Sequence, residues 1–469
     1  MKKGFIIGGT VVVAALLIAP KYIATQVEKS LHQQIEQINQ LPGYQAEITE
    51  LQQHWFSSQA MLTLEMDLHD MGAAEADSTL TIPPITIDVT VDHGPLILSP
   101  MGTVGIAGWH ASITGEALKT HLSWPQQTPF YQIEGVTSLT GNTTFEDKLS
   151  AFKGLPDSAL ASLDFSGYIG SGELSSDAFT YHGEAGSLTL EDEHLKLDSQ
   201  RLSVTMEAET DLAGMLRGDF YDSDILLTLG RLHVQPPQSD QSIELNELKV
   251  RAQTHNNPQQ QTGAMTLDYR LDELKTPEFD ASELQLVLEA REISLDFLRA
   301  YQEFARNLPG QNADEINQLT QAFLFDNLLA LLKTEPEVNI TTLKGTIPGG
   351  KMSGQLNSKL VGIERLPDNI ADRTFWLQHA LADAELSIDK DAAEWLAARQ
   401  MLSQLKARVP AEQWDQVKMQ ELATQQAPVM LDNFTQQGIL KATNEGYETR
   451  FSIKEGEAQL NGTVIPLPQ

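Results

Sequence analysis

Apolar positions recur along this chain with periods that change from segment to segment, and the order of those changes predicts its architecture. An unbroken apolar run from Gly4 to Pro20 comes first, preceded by Lys2 and Lys3. It is long enough to span a bilayer, with Lys21 and Tyr22 at the headgroup level. Val27, Leu31, Ile35 and Ile38 then recur at helical spacing, and Pro42 and Gly43 stop that helix. From Gln45 the period becomes two. Ile85, Ile87, Val89 and Val91 alternate with Thr86, Asp88 and Thr90, and the alternation returns at Leu202 to Ala208, Met265 to Leu271 and Leu284 to Ala290. Alternating strands suit an antiparallel sheet with one wet face, because parallel strands buried on both faces read as continuous apolar runs.

Two helical blocks interrupt the strands. Residues 295–333 are split by Pro309 and Gly310 and restart at Asn312 and Glu315, with Ile316, Leu319, Phe323, Leu324, Leu328 and Leu331 on one stripe. Residues 391–437 place Trp395, Leu402, Leu405, Trp414, Val417 and Leu431 inward, break near Pro410 and Pro428, and close at Gly438. The chain ends as strands 447–453 and 458–464, joined by a turn at Glu455, Gly456 and Glu457. Segments 235–242 and 256–263 read as exposed loops. No motif recurs at a fixed period and no domain boundary stands out. The predicted fold is α+β: a large curved antiparallel β-sheet with amphipathic covering helices, preceded by one N-terminal transmembrane helix. Its divisions are an anchor over residues 1–23, a juxtamembrane helix over 24–44 and an α+β region over 45–469.

Composition narrows the partners. Sixty-four acidic residues against 32 basic ones leave a net charge of -32, which argues against nucleic acid and anionic lipid headgroups as partners, since both would be repelled. There is no cysteine, so thiolate chemistry and disulfide staples are excluded. The lysines before the apolar run favour a cytoplasmic N-terminus. Leu17, Ala19 and Pro20 lack a small-x-small cleavage pattern, so the run reads as an uncleaved anchor in an inner membrane, with the bulk of the chain in the periplasm. Gly4 and Gly8 form a G-x-x-x-G pair through which two anchors would associate as a homodimer.

Candidate chemistry is sparse. Gly170, Ser171 and Gly172 lack the spacing of a nucleophile elbow and read as a turn. No H-E-x-x-H, Walker or dinucleotide pattern occurs, so no metal or cofactor is called for. Acidic clusters at Glu191, Asp192 and Glu193 and at Asp222 and Asp224 read as solvated turns, the last pair leaving a minor hydrolase reading open. His54, Trp55 and Phe56 read as packing where the sheet begins. The sharpest local signature is Val91, Asp92, His93, Gly94 and Pro95, whose structural reading is a turn after a strand and whose chemical reading is a general base without a nameable nucleophile.

The anchor, the H-W-F-S-S-Q segment at His54 to Gln59, the V-D-H-G-P segment and the terminal L-N-G at Leu460 to Gly462 resemble the YdgA-like family along the length of the chain. The resemblance implies a bacterial protein anchored in the inner membrane and facing the periplasm. It extends to the AsmA-like group, with curved lipid-accommodating sheets, and supplies no catalytic residue. The expected role is therefore a non-enzymatic envelope scaffold or interaction protein. The alternative is a binder of lipid or another acyl chain in an apolar groove of the sheet, partnered by the bilayer itself through residues 4–20.

Overall fold

The computed structural model describes residues 31–32, 35–36, 38–39, 43–67, 83–99, 101–158, 160–192, 195–236, 241–306, 313–408 and 415–465. The predicted anchor, and the breaks at Pro309, Gly310 and Pro410, lie outside them, as does Trp414. Among the described residues no helix is long and apolar enough to cross a membrane. The fold is mostly a large antiparallel β-sheet with a few helices. Contacts divide the chain into two compact units, Met1–Gly230 with Leu298–Asp326, and Arg231–Phe297 with Asn327–Gln469.

The first unit holds β1 (Tyr44–Gln53), β2 (Ser57–Met66), β3 (Ile85–His93), the small ribbon β4 (Leu96–Ser99) and β5 (Gly102–Val104), β6 (Ala107–Ile113), β7 (Leu122–Ser123), β8 (Tyr131–Thr137) and β9 (Thr143–Leu149). It continues through β10 (Phe152–Gly154), β11 (Asp164–Phe165), β12 (Tyr168–Leu174), β13 (Phe179–Glu191), β14 (Lys196–Ala208) and helix α1 (Leu212–Arg217). Antiparallel pairing runs β1, β2, β3, β6, β8, β9, β12, β13, β14. The alternation read at β3 is realised: Ile87, Val89 and Val91 are buried. They join Leu62, Leu64, Trp109, Ile133 and Phe145 in one core. Leu31, Ile35 and Ile38, expected on a stalk, are instead part of this core. A helix stripe of that width buries itself wherever an apolar sheet face is available. Asn39 fixes the helix end by accepting from the Ala46 amide at 2.6 Å and donating to its carbonyl at 3.0 Å.

Strand β15 (Ser223–Gln235) and helices α2 (Leu295–Arg306) and α3 (Ala313–Leu332) run across the division. The second unit pairs β16 (Ile243–Asn257), β17 (Thr262–Lys275), β18 (Asp280–Ser294), β19 (Glu337–Ile347), β20 (Gly350–Leu360) and β21 (Ala380–Asp389) in sequence. Beyond β21 it omits β22 (Lys441–Ala442) to reach β23 (Gly446–Lys454), then β24 (Glu457–Leu460) and β25 (Thr463–Ile465). Helices α4 (Arg373–His379), α5 (Lys390–Arg408) and α6 (Gln416–Gln436) complete it.

Several expectations are corrected here. The segment 256–263 is a tight hairpin, with β16 reaching Asn257 and β17 starting at Thr262. Residues 458–464 are two strands, because Asn461 and Gly462 both adopt left-handed conformations (φ 53° and 83°) and reverse the chain. Pro428 sits inside α6 without ending it. In the α3 stripe Phe323 is buried, but Leu319 and Leu324 are exposed. Val417 is 68% exposed. The α5 and α6 seam is closed by Ala393, Ala397, Ala398, Ala427 and Leu431 against Tyr447. Small residues let the two helices approach closely, so alanines rather than the larger residues define the inner faces.

Candidate functional site

The V-D-H-G-P segment is the end of β3 and the exit from it. Strand alternation sends Val91 and His93 into the core and Asp92 to the opposite face, so Asp92 is not placed to orient the imidazole. His93 Nε2 lies 3.1 Å from Ser58 Oγ. That pairing supplies the hydroxyl the sequence did not reveal, through the register that sets Ser58 opposite Val91. Both residues are buried, Ser58 at 1% and His93 at 4% exposure, which denies a substrate access to the pair. Gly94 is wedged under the next strand: a Cβ there would stand 1.8 Å from the Gly105 carbonyl oxygen. Pro95 follows through a cis bond and leads into β4.

Gly170, Ser171 and Gly172 are not a turn but the middle of β12. Their glycines make room. Gly170 stands opposite Asp147, and a Cβ there would meet Asp147 Oδ1 and Tyr181 Oη at 2.2 Å each. The space holds a polar cluster inside the core. Tyr181 donates to Asp147 Oδ1 at 2.9 Å, Tyr131 donates to Oδ2 at 3.2 Å, and Tyr168 bonds Tyr181 hydroxyl to hydroxyl. Burial pushes the Asp147 carboxyl above the ordinary aspartate value, against the opposing pull of the Tyr181 and Tyr131 hydrogen bonds. Burial also raises Tyr131 and Tyr181, and takes Tyr168 up to about 12.

A folded pKa above the unfolded one means the native state holds its proton more tightly, so stability falls as pH rises from the ordinary value of 3.8 through the folded pKa, and is flat above it. Asp147→Asn keeps one of the two hydrogen-bond acceptors, replaces the other with a donor amide, and removes the titration. Denaturant unfolding followed by tryptophan fluorescence is expected to show that slope as the difference in stability between the native chain and the variant across the acid range.

The other acidic candidates are accounted for locally. Asp192 Oδ1 accepts from the Leu195 amide at 2.7 Å, Glu191 pairs with Lys196 at 3.5 Å, and Glu193 lies outside the described residues. The Asp222 carbonyl accepts from the Glu209 amide, and Asp224 enters β15. An open cleft of about 400 Å³ on the first unit is lined by Glu146, Glu173, His182, Thr205 and Glu207, with His182 Nε2 3.0 Å from Glu184 Oε1. Among the described residues no group of side chains has the arrangement of a metal site.

The second unit carries an extended apolar sheet face. Register stacks the alternating residues of successive strands into continuous cross-strand rows. One row runs Val250, Tyr269, Leu286, Leu343, and another runs Ala252, Leu267, Leu288, Ile340, Leu356, Ala384, Phe451. The opposite face carries Lys249, Arg270, Gln285 and Lys344. Helix α5 covers one end, where Trp395 meets Phe279 edge to face, and the α5 and α6 pair buries Tyr447 beside Ile388. Away from that cover none of the residues in these two rows is buried, and at the far end of the face Met265 and Val338 are exposed. Alternation was legible at Met265 to Leu271 and Leu284 to Ala290; that the rows stay open was not.

No curated protein and no solved structure matches this chain. A family model described as "Bacterial protein of unknown function (DUF945)" matches residues 1–468, and the chain belongs to that family.

Proposed function

We propose that this is a non-catalytic protein of the bacterial envelope, tethered to the inner membrane through residues 4–20, whose second unit holds acyl chains on the apolar face of its sheet. The observation that carries this reading is the pair of continuous cross-strand rows from Val250 to Leu343 and from Ala252 to Phe451, in which no side chain is fully buried. A sheet with one apolar face ordinarily buries it against a second layer, as the first unit does with Leu31, Ile35 and Ile38. The rows are almost wholly aliphatic, whereas protein interfaces concentrate Tyr, Trp and Arg within a hydrogen-bonding polar rim. A flexible hydrocarbon chain needs neither direction nor donors, only length and dryness. The tether follows from the apolar run behind Lys2 and Lys3, and the YdgA-like and AsmA-like resemblances point the same way.

The scaffold reading shares the tether and is favoured by the net charge of -32, which suits basic or cation-bridged partners. Delipidated full-length protein in nanodiscs, titrated with a fluorescent palmitate analogue, separates the two. Saturable binding displaced by unlabelled palmitate is expected. Signal no greater than that of empty nanodiscs leaves the scaffold reading standing.

A further inference from the structure

We propose that one end of the first unit's sheet docks into the interface of a lipid bilayer. Strand register brings the β1 to β2 turn, the β3 to β6 excursion and the β8 to β9 turn to the same end: Gln53 pairs with Ser58, Ser57 with Asp92, His93 with Ala107, and Ala107 with Thr137, which pairs with Thr143. Large apolar side chains stand out there into solvent: Trp55 at 87%, Phe56 at 74%, Leu96 at 79%, Val104 at 55% and Leu139 at 63% exposure. Neighbouring tips are two strands apart, roughly 10 Å, so they form separated points rather than a groove.

The same end is poor in charge, with Asp92, opposite Ser57, as its acidic residue. Charged residues make up 20% of the chain, yet residues 51–64, 93–115 and 135–145 contain no Asp, Glu, Lys or Arg. Acid returns at the next tip with Asp177. For a protein of net charge -32, concentrating the acidic residues away from these tips lowers the desolvation cost of entering lipid. Trp and Phe on a turn suit the headgroup boundary, where the flat ring is buried and the indole N–H stays wet. A protein partner of ordinary kind would be met by a polar rim with hydrogen-bonding charges, and beyond Asp92 this end offers none.

This proposal rests on the membrane tether of the preceding reading and not on acyl binding, and one experiment separates their failures. The chain has no cysteine, so single cysteines carry an environment-sensitive fluorophore cleanly. Full-length protein is reconstituted in phosphatidylcholine vesicles and labelled at Val12→Cys for the tether, at Leu139→Cys or Leu96→Cys for the tips, or at Gln127→Cys near the opposite end. Blue-shifted emission quenched by spin-labelled lipid is expected at 12, 96 and 139 and not at 127. It is expected to persist in high salt and to disappear at 96 when Trp55 and Phe56 are both changed to Glu, with unfolding curves unchanged because both side chains are exposed. Quenching at 12 without quenching at 96 and 139 overturns the docking and keeps the tether; no quenching at 12 overturns the tether. Shielding at 96 and 139 from an aqueous quencher without lipid quenching assigns the tips to a second copy and also overturns the docking.

Discussion

Gly94→Ala is expected to destabilise the first unit by about 3 kcal/mol, the upper range for forcing an atom into a packed interior. The methyl group would fall 1.8 Å from the Gly105 carbonyl oxygen and 2.7 Å from that of Ile106. These are backbone atoms of the strand entrance that pairs with β3, where the Gly94 amide donates to the Ile106 carbonyl at 2.7 Å. A flexible side chain would swing away. Here relief requires the join of β5 and β6 to move, and with it Trp109, which sits in the core two residues into β6. Guanidinium unfolding read through tryptophan emission is the measurement, with the exposed Thr140→Ala as a comparison that changes stability by less than about 0.5 kcal/mol. A Gly94→Ala chain as stable as that comparison would show that the V-D-H-G-P segment is not held by close backbone packing.

The second large effect falls on the apolar face. Leu286→Asp places a carboxylate at the centre of the row between Tyr269 and Leu343. Any hydrocarbon laid along the row would desolvate that charge without pairing it. The expected loss of affinity for the palmitate analogue is about tenfold or more, equivalent to at least about 1.4 kcal/mol. Leu286 is only partly buried in the free protein, so folding survives the change. Gln285→Ala, one residue along and on the opposite face, is expected to bind like the native chain. Equal affinity for the two variants would place the ligand elsewhere.

How much of this was legible in the sequence depended on which forces the residues register. Ile87, Val89 and Val91 announced β3 because one face is fully buried and the other wet, and the alternation follows directly. On α5 and α6 the inward positions of Trp395 and Leu431 are legible, while Ala393, Ala397 and Ala427 are not, because they carry little hydrophobic signal although small side chains are what close helix packing requires. The Asp147 cluster stayed hidden because Tyr131, Tyr168 and Tyr181 meet it only through strand register, in space left by Gly170. Trp55 and Phe56 read as packing because aromatic residues usually are, yet both stand exposed, and the scarcity of charge around them is the sequence signal for it. The rows of the second unit were visible strand by strand, but their continuity and lack of cover belong to tertiary structure.

The most direct measurement is photocrosslinking in living cells from a diazirine-bearing residue placed at Tyr269 or at its neighbour Arg270, which occupy opposite faces of β17. Acyl-lipid adducts identified by mass spectrometry from position 269, and none from 270, are the predicted result. Adducts only to protein from 269, or equal lipid labelling at both positions, would contradict an acyl-binding face.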